Sequence, residues 1–140
     1  MKVSTKGRYA LRMLLDLAEH KDKGFISLKE VAERQNISKQ YLEQIVSILN
    51  TSNILRANRG KQGGYMLVKE PSEYTVGQIL RVTEGSLAPV TCLEDEINQC
   101  DRAEFCKTLY MWKGLNKVIA DYLNSITLQN MLDHYQAQGT

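Results

Sequence analysis

The stretch from residue 27 to residue 50, SLKEVAERQNISKQYLEQIVSILN, decides the fold of this 140-residue chain. Ser27 and Glu30 have the spacing of a capping box, in which each side chain bonds the other's free backbone N–H, so a short helix begins here. QNIS then turns the chain, and Ser38 can cap the next helix. The apolar residues of that helix share one face: Leu42, Ile45, Val46 and Leu49. This pattern predicts a helix-turn-helix motif.

The outer face of the second helix of this motif is polar, with Gln40, Glu43, Gln44 and Ser47 at helical spacing. Amide side chains pair with adenine and carboxylates accept from cytosine, so these residue types suit a helix that reads base edges. An ordinary solvated helix face is the alternative. Upstream, residues 4–20 (STKGRYALRMLLDLAEH) have an amphipathic pattern that predicts a core-facing first helix, which KDKG ends.

Residues 54–69, ILRANRGKQGGYMLVK, predict a hairpin with strands near 54–57 and 65–68 around a glycine-rich turn. After a helix-turn-helix such a hairpin is a wing, with Arg59 and Lys61 at its tip. Glycines let the backbone approach a phosphate, and an arginine can enter a minor groove. The alternative is a plain surface hairpin whose charges serve solubility.

Charge divides the chain into two halves. Residues 1–69 carry thirteen Lys and Arg against six Asp and Glu, whereas residues 70–140 carry five against ten. A basic half that contains a helix-turn-helix and a wing indicates binding to a polyanion such as DNA. No Ser/His/Asp or Cys/His grouping is visible, so we do not expect an enzyme. The sequence lacks an apolar run of membrane-spanning length and the apolar core of a signal peptide, so we expect a cytoplasmic protein that contacts no membrane.

The acidic half begins with a short predicted helix, YTVGQILRVTEG (residues 74–85), and ends in a long helical pattern from about residue 103. A narrow apolar stripe runs along that pattern: Phe105, Leu109, Trp112, Leu115, Ile119, Tyr122 and Ile126. The stripe can pack on the chain's own body or on a second copy. We expect the second copy, because a two-fold dimer presents two recognition helices to successive major grooves.

Three cysteines, Cys92, Cys100 and Cys106, lie in the segment VTCLEDEINQCDRAEFCK (residues 90–107) among five carboxylates. An odd count in a reducing compartment argues against a disulfide framework. The spacing lacks the Cys-x2-Cys pair of common zinc sites. Zinc with a fourth ligand from elsewhere, an iron–sulphur cluster and unligated thiols all remain open at this point.

The runs STKGRYALRMLLDLA, VAERQNISKQYLEQIVSIL and RGKQGGYML, the later VGQIL and ITL, and the cysteine segment resemble the IscR-type winged-helix repressors, relatives of NsrR and CymR. The resemblance covers the chain from residue 1 to about residue 132. It implies a mainly α fold with a small β-hairpin wing, in which a winged helix-turn-helix is joined to a long dimerisation helix. We divide the chain into a DNA-binding domain (1–85), a cluster loop (86–106) and a dimerisation helix with a C-terminal tail (103–140).

The function that the resemblance implies is a homodimeric, sequence-specific transcription regulator, expected to be a repressor of a double-stranded DNA operator, that senses iron–sulphur status or oxidants. Cys92, Cys100 and Cys106 would hold the cluster, with [2Fe–2S] preferred over [4Fe–4S], and a purified apo form can lack it. The residues expected at the DNA are Thr5, Lys6, Tyr9, Ser27, Ser38, Lys39, Gln40, Tyr41, Glu43, Gln44, Arg59, Gly60, Lys61, Gly63, Gly64 and Tyr65. Among these, Ser38, Gln40, Glu43 and Gln44 match major-groove positions, Arg59 the minor-groove position, and Thr5, Lys6 and Tyr9 the phosphate contacts.

The chain departs from its relatives at two positions. Leu109 stands where the IscR pattern has a histidine, and Arg8 stands where the NsrR pattern has an aspartate. The fourth cluster ligand is therefore open, and the candidates are Glu94, Asp95, Asp101, Glu104, a small thiol and water. The alternatives are a cluster-free or zinc-bound repressor controlled by a protein partner, as in the CymR branch, and an iron–sulphur carrier.

Overall fold

The computed structural model describes residues 2–61, 63–94 and 104–138. Its helices and strands are α1 (Thr5–Glu19), α2 (Leu28–Gln35), α3 (Lys39–Thr51), β1 (Leu55–Asn58), β2 (Gly64–Leu67), α4 (Val76–Glu84), α5 (Leu109–Ser125) and α6 (Leu128–Gln138). Single 3₁₀ turns lie at Lys21–Lys23, Pro71–Glu73 and Thr91–Leu93. The predicted fold class, mainly α with a hairpin wing after a helix-turn-helix, is confirmed. None of the helices in these residues is long and apolar enough to cross a membrane.

Helix α1 forms the centre of the molecule. Its residues Ala10, Met13 and Leu14 are completely buried, and the helix packs against α2, α3, α4, α6 and β2. Helix α3 places Ile45 and Leu49 in the same core with no exposed surface. Burying a leucine or isoleucine side chain contributes about 1.5–3 kcal/mol, so this shared core holds α3 firmly on the body.

Side-chain caps fix where four of the helices begin. The hydroxyls of Ser4, Ser27, Ser38 and Thr75 accept from backbone N–H groups three residues later. Both capping serines of the helix-turn-helix, Ser27 and Ser38, were expected from the sequence. Between them the chain turns at Asn36, whose φ of 53° is left-handed, a conformation that asparagine tolerates better than most residues. The caps therefore fix where α2 and α3 begin.

A buried carboxylate joins α1 to α2. Asp16 is 2% exposed, and its Oδ1 accepts from Arg34 Nη2 at 2.7 Å while its Oδ2 accepts from Arg34 Nε and Gln35 Nε2, both at 3.0 Å. The hydrogen bond with Asp16 raises the pKa of the Arg34 guanidinium above its usual value. The backbone oxygen of Gln35 also accepts from Arg12 Nη2. Since Gln35 is the last residue of α2, this network fixes the point where the turn to α3 begins.

The wing is an antiparallel hairpin in which Leu55 pairs with Leu67 and Asn58 with Gly64. The strands lie close to the predicted runs, each displaced by one residue toward the turn. Arg59 and Lys61 lie in the turn, as expected, and Gly60 adopts a φ of 111° that favours glycine. The Gly63 N–H donates to the Gly60 oxygen at 2.9 Å and closes the turn.

The C-terminal third differs from the sequence prediction in two respects. The helix expected from about residue 103 begins at Leu109, and the chain breaks at 126–127 before α6, where a tail was expected. Leu128 and Leu132 of α6 are buried, and an isolated antiparallel bridge joins Thr127 to Thr75. The break therefore returns the chain to the body, so α6 completes the core around α1.

The predicted apolar stripe of α5 is divided between two faces. Ile119 lines a groove against the end of α4 together with Asn116 and Ala120, whereas Leu115 and Tyr122 are exposed. Leu115 and Tyr122 share the outward face with Met111 and Val118. The outward stripe is therefore Met111, Leu115, Val118 and Tyr122, exposed by 48%, 39%, 64% and 64%. The sequence prediction combined residues of both faces, because steps of three and four residues alternate along each face and the spacing alone does not separate them.

Candidate nucleic-acid interface and cysteine loop

The outer face of α3 is open along its length. The side chains expected at the major groove are exposed: Ser38, Gln40, Glu43 and Gln44. Lys39, also expected at the DNA, is exposed beside them. The face therefore offers amides, a carboxylate and a lysine within two helical turns, all on an element whose inner face is fixed in the core.

The wing is fastened to the start of the helix-turn-helix by a backbone bridge. The Ile26 N–H donates to the Tyr65 oxygen at 2.9 Å, and the Tyr65 N–H donates to the Ile26 oxygen at 2.8 Å. A Cβ at Gly64 would lie 2.3 Å from that Ile26 oxygen, so only glycine allows this approach. Gly64 was expected to serve a phosphate contact, and the structure gives it a structural role in the protein itself.

The bridge brings three of the expected DNA residues to one groove. This groove, about 620 Å³ in volume, is lined by Ser27 at the start of α2, by Lys61 and Gly63 of the wing turn, and by Lys23. Its lining combines two lysines and the Glu30 carboxylate with a hydroxyl that already caps a helix. The two lysines beside a helix N-terminus favour a phosphate electrostatically, and the Glu30 carboxylate opposes it.

The N-terminal part of α1 carries the third group of expected contacts. Thr5 is exposed, whereas Lys6 and Tyr9 are half-buried. The Tyr9 ring meets the Tyr41 ring of α3 edge to face, with centroids 5.6 Å apart. The Arg12 guanidinium lies 5.1 Å above the Tyr9 ring, a favourable cation–π distance. Tyr9 and Tyr41, predicted separately, are thus packed together and tie α1 to the recognition helix.

An ion pair joins the turn after α1 to the segment after the wing. Lys21 Nζ lies 2.8 Å from Glu70 Oε2, and this contact raises the pKa of Lys21. Both side chains are well exposed, so the pair contributes little to stability. The pair connects the turn after α1 to the base of the wing.

The structure describes two of the three cysteines. Cys92 lies in the 3₁₀ turn after α4 and is half-buried. Cys106 lies just before α5, with its Sγ 3.3 Å from Thr108 Oγ1. Cys100 falls outside the described residues, as do Asp95 and Asp101, while Glu94 and Glu104 are exposed. Within the described ranges no group of three or more His, Cys, Asp or Glu is arranged to hold a metal ion.

A polar contact joins the end of α4, where the cysteine loop begins, to the start of α1. Glu84 Oε1 accepts from the Ser4 backbone N–H at 2.9 Å and from Ser4 Oγ at 2.6 Å. Gly7 makes room for this contact, because a Cβ there would lie 2.2 Å from Glu84 Oε1. We call Ser4, Gly7 and Glu84 the α1–α4 clasp. The next residue, Gly85, has a φ of 79° and opens the loop.

The sequence analysis missed both the clasp and the Asp16 network. Ser4 and Glu84 are 80 residues apart, and Asp16 is 18 residues from Arg34. No local pattern links residues at such separations. The glycine in the first turn of α1 was the one available signal, since glycine inside a helix costs about 1 kcal/mol relative to alanine and calls for a reason.

Comparisons with known proteins agree with this geometry. The Rrf2 family, described as iron-dependent transcriptional regulators, matches residues 3–134. The regulator CymR of Bacillus subtilis is 39% identical over 134 residues, which cover 96% of this chain and 91% of CymR. IscR of Pectobacterium atrosepticum is 36% identical over 96% of this chain and 80% of its own length.

A solved structure of IscR from T. potens superimposes with a TM-score of 0.79 at 42% identity, covering 99% of this chain and 91% of that one. The expected resemblance is therefore confirmed. These relatives are transcriptional regulators, which also confirms the expectation that the chain is not an enzyme. With a winged helix-turn-helix whose recognition face is open, the chain belongs to the Rrf2 family of DNA-binding transcriptional regulators.

Proposed function

We propose that this protein is a homodimeric, sequence-specific repressor whose cysteine loop holds an iron–sulphur cluster, and that cluster occupancy changes its affinity for DNA. The observation that carries the proposal is the placement of the loop. It begins at Gly85, directly after the residue that clasps the start of α1, and it ends at the first turn of α5. A group bound in the loop thus lies between the DNA-binding half and the proposed dimer helix.

In this proposal α3 enters the major groove and the wing contacts the neighbouring minor groove. Gln40 and Gln44 are the side chains that pair with adenine, and Glu43 accepts a hydrogen bond from cytosine and disfavours other bases. Arg59 at the wing tip is exposed and suits a narrow, electronegative minor groove. Lys6, Lys39 and Lys61 supply phosphate contacts that position the protein without reading sequence.

The dimer is proposed from the outward stripe of α5. Met111, Leu115, Val118 and Tyr122 follow steps of four, three and four residues, the spacing of a helix seam that packs on another helix. No residue of α5 is buried in the single chain, although the helix carries Leu, Ile, Val, Tyr and Trp side chains. A second copy related by two-fold symmetry would cover the stripe and present two α3 helices about 34 Å apart.

The chemistry of the donor set fits a cluster better than a hard cation, because three thiolates within fifteen residues are soft ligands. Cys92, Cys100 and Cys106 would hold the group, and Glu94 and Glu104 border the part of the loop that the structure leaves undescribed. When bound, an iron–sulphur cluster supplies a redox-active group that oxidants can alter or remove. The chain's own contribution is the clasp. Because Glu84 at the start of the loop bonds Ser4, a change in the loop on cluster binding is transmitted to Thr5 and Lys6 at the start of α1.

Linkage fixes the size of effect that such a device can have. A bound cluster shifts the DNA equilibrium only by its differential affinity for the two arrangements of the protein, commonly 5- to 150-fold. DNA that favours the cluster-bound form must in turn tighten cluster retention by the same factor. This reciprocity gives the proposal a second, independent test.

The test begins with protein purified without air. Iron, sulphide and zinc content, the visible absorption spectrum and the affinity for an operator duplex are measured on the same preparation before and after chelation. We expect iron with sulphide, a charge-transfer band, and an affinity that differs at least fivefold between the two forms. Cys92→Ala, Cys100→Ala and Cys106→Ala should each abolish the band while leaving the dimer intact.

Protein that stays metal-free after anaerobic reconstitution, yet binds the operator, would overturn the cluster part of the proposal. It would favour a repressor controlled by a protein partner. Zinc without sulphide would identify a structural metal without redox function. Failure to bind any duplex in either form would contradict the proposal as a whole.

A further inference from the structure

Tyr74 lies at the base of the wing and is the largest of the fully buried side chains, with 1% of its surface exposed. It follows the 3₁₀ turn Pro71–Glu73 and precedes α4. Its hydroxyl donates to the Ile54 oxygen at 3.0 Å and accepts from the N–H groups of Val68 at 3.1 Å and Lys69 at 2.9 Å. A phenolic hydroxyl has one donor and two acceptor positions, so its capacity is filled.

The three backbone groups belong to both legs of the wing. Ile54 directly precedes β1, and Val68 and Lys69 directly follow β2. The Val68 N–H also lies 3.3 Å from the Ile54 oxygen, so the direct contact between the legs is long and shared with the tyrosine. The hydroxyl of Tyr74 therefore pins both legs to a residue anchored in the core.

This pin limits tilting of the wing about its base. The bridge between Ile26 and Tyr65 holds β2, and the buried side chains of Leu55 and Leu67 hold the start of β1 and the end of β2 in the core. The Tyr74 hydroxyl adds three directional bonds just outside these residues, on both legs at once. Each wing strand is four residues long, which corresponds to about 13 Å at roughly 3.3 Å per residue. A 10° rotation at the base would move the tip by about 2 Å, more than a hydrogen bond to a base or phosphate tolerates.

The environment keeps the hydroxyl in its donating form. Burial raises the pKa of Tyr74 above its usual value, while the N–H groups of Lys69 and Val68 act in the opposite direction. Only the protonated hydroxyl can donate to Ile54, so all three bonds are present at neutral pH. Ile54, Val68 and Lys69, which the hydroxyl bonds, are not among the residues expected at the DNA.

We propose that Tyr74 is a positioning residue for DNA recognition, whose hydroxyl holds the wing at the angle that brings Arg59 to the minor groove and Lys61 to a neighbouring phosphate. This inference rests on the proposed function, because it presumes that the wing contacts DNA. It assigns specificity at the minor groove to a buried residue that never touches the nucleic acid.

The test is a double-mutant cycle on operator affinity with the full-length protein. Tyr74→Phe keeps the ring and removes only the hydroxyl, and we expect roughly a tenfold loss of affinity. Added to Arg59→Ala/Lys61→Ala, the same change should cost less than about twofold, because the wing has nothing left to position. Added to Gln40→Ala on α3, it should again cost the full tenfold. Tyr135→Phe, an exposed tyrosine on α6, is the matched control and should change nothing.

Amide hydrogen exchange gives a readout that a general loss of stability would not reproduce. In Tyr74→Phe we expect faster exchange at Val68, Lys69 and within β1 and β2, with α3 unchanged. Faster exchange throughout the core, or equal losses of affinity in the wing and α3 backgrounds, would reduce Tyr74 to a structural residue and overturn the inference. If Arg59→Ala/Lys61→Ala leaves affinity intact, the wing assignment of the proposed function fails, and this inference fails with it.

Discussion

Helices α3 and α5 are both amphipathic, but they expose opposite sides. Helix α3 buries Leu42, Ile45, Val46 and Leu49 and exposes its amides and carboxylate. Helix α5 buries none of its residues in the single chain and exposes an apolar stripe. An open polar face on a fixed helix suits a polar ligand, whereas an open apolar face calls for another protein surface. In the proposed function this difference leaves recognition of DNA to α3 and assembly to α5.

The largest expected effect comes from making the open face of α5 polar. Leu115→Glu combined with Val118→Glu places two carboxylates in the proposed seam, and we expect a monomer at micromolar concentration by sedimentation. Operator affinity should fall by about 100-fold or more, because two linked half-site contacts become one. His134→Glu adds a carboxylate at an exposed site of α6 and should leave both properties unchanged. If the double variant remains dimeric, the apolar face of α5 is not the dimer interface, and the contrast between α3 and α5 fails.

The second effect concerns what holds α3 in place. Asp16→Asn leaves the Arg34 guanidinium without its buried carboxylate, and we expect a loss of about 2 kcal/mol in the free energy of unfolding. Breaking a fully buried pair costs about 3–5 kcal/mol, and the partial exposure of Arg34 reduces this. Urea unfolding measures the loss. Glu30→Gln, which weakens only the exposed contact with Arg34 at 3.4 Å, should cost less than about 0.5 kcal/mol.

The third effect separates reading from positioning on α3 itself. Gln44→Ala should lower affinity for the operator roughly tenfold while leaving non-specific duplex binding unchanged, because the amide meets a base edge. Lys39→Ala should weaken binding to both duplexes about equally and reduce the salt slope by about one, because it meets a phosphate. Equal effects of the two substitutions on both duplexes would mean that this face does not read sequence.

The smallest effect tests the link between the two halves. Gly7→Ala should favour helix by up to about 1 kcal/mol, yet its Cβ must displace the Glu84 carboxylate. We therefore expect undiminished stability, a roughly threefold loss of operator affinity from the freed start of α1, and a reduced difference between cluster-bound and apo protein. Glu84→Gln retains an oxygen acceptor and should show about half of this loss on a logarithmic scale. If Gly7→Ala leaves the difference in operator affinity between cluster-bound and apo protein unchanged, the clasp does not link the cysteine loop to the start of α1.

The features that the sequence predicted correctly all depend on residues close together in the chain. The caps at Ser27 and Ser38, the buried face of α3 and the glycine-rich wing turn each need fewer than a dozen residues to be recognised. The inner and outer faces of α3 were also predicted without error, because the residues of the two faces differ in polarity.

Helix α6 escaped prediction because its start depends on a contact made elsewhere. Thr127 and Asn130 bond each other's backbone N–H groups in the manner of a capping box, but the apolar spacing of α5 continued to Ile126 without a visible stop. The break is fixed by tertiary bonds: the Val76 N–H donates to the Ile126 oxygen at 2.8 Å, and the Leu128 N–H to the Tyr74 oxygen at 3.0 Å. These partners are fifty or more residues away. The clasp joins residues 80 apart, and the Tyr74 hydroxyl reaches back 20 residues to Ile54.

The central claim is that two α3 helices, held apart by paired α5 helices, read one DNA site. The most direct test is selection of bound duplexes from a random library by the purified protein, followed by sequencing. We predict enriched sites with two half-sites related by two-fold symmetry and separated by one helical turn, about 34 Å, or a whole multiple of it. Enrichment of single half-sites without fixed spacing, or of no duplex above a shuffled control, would contradict the account.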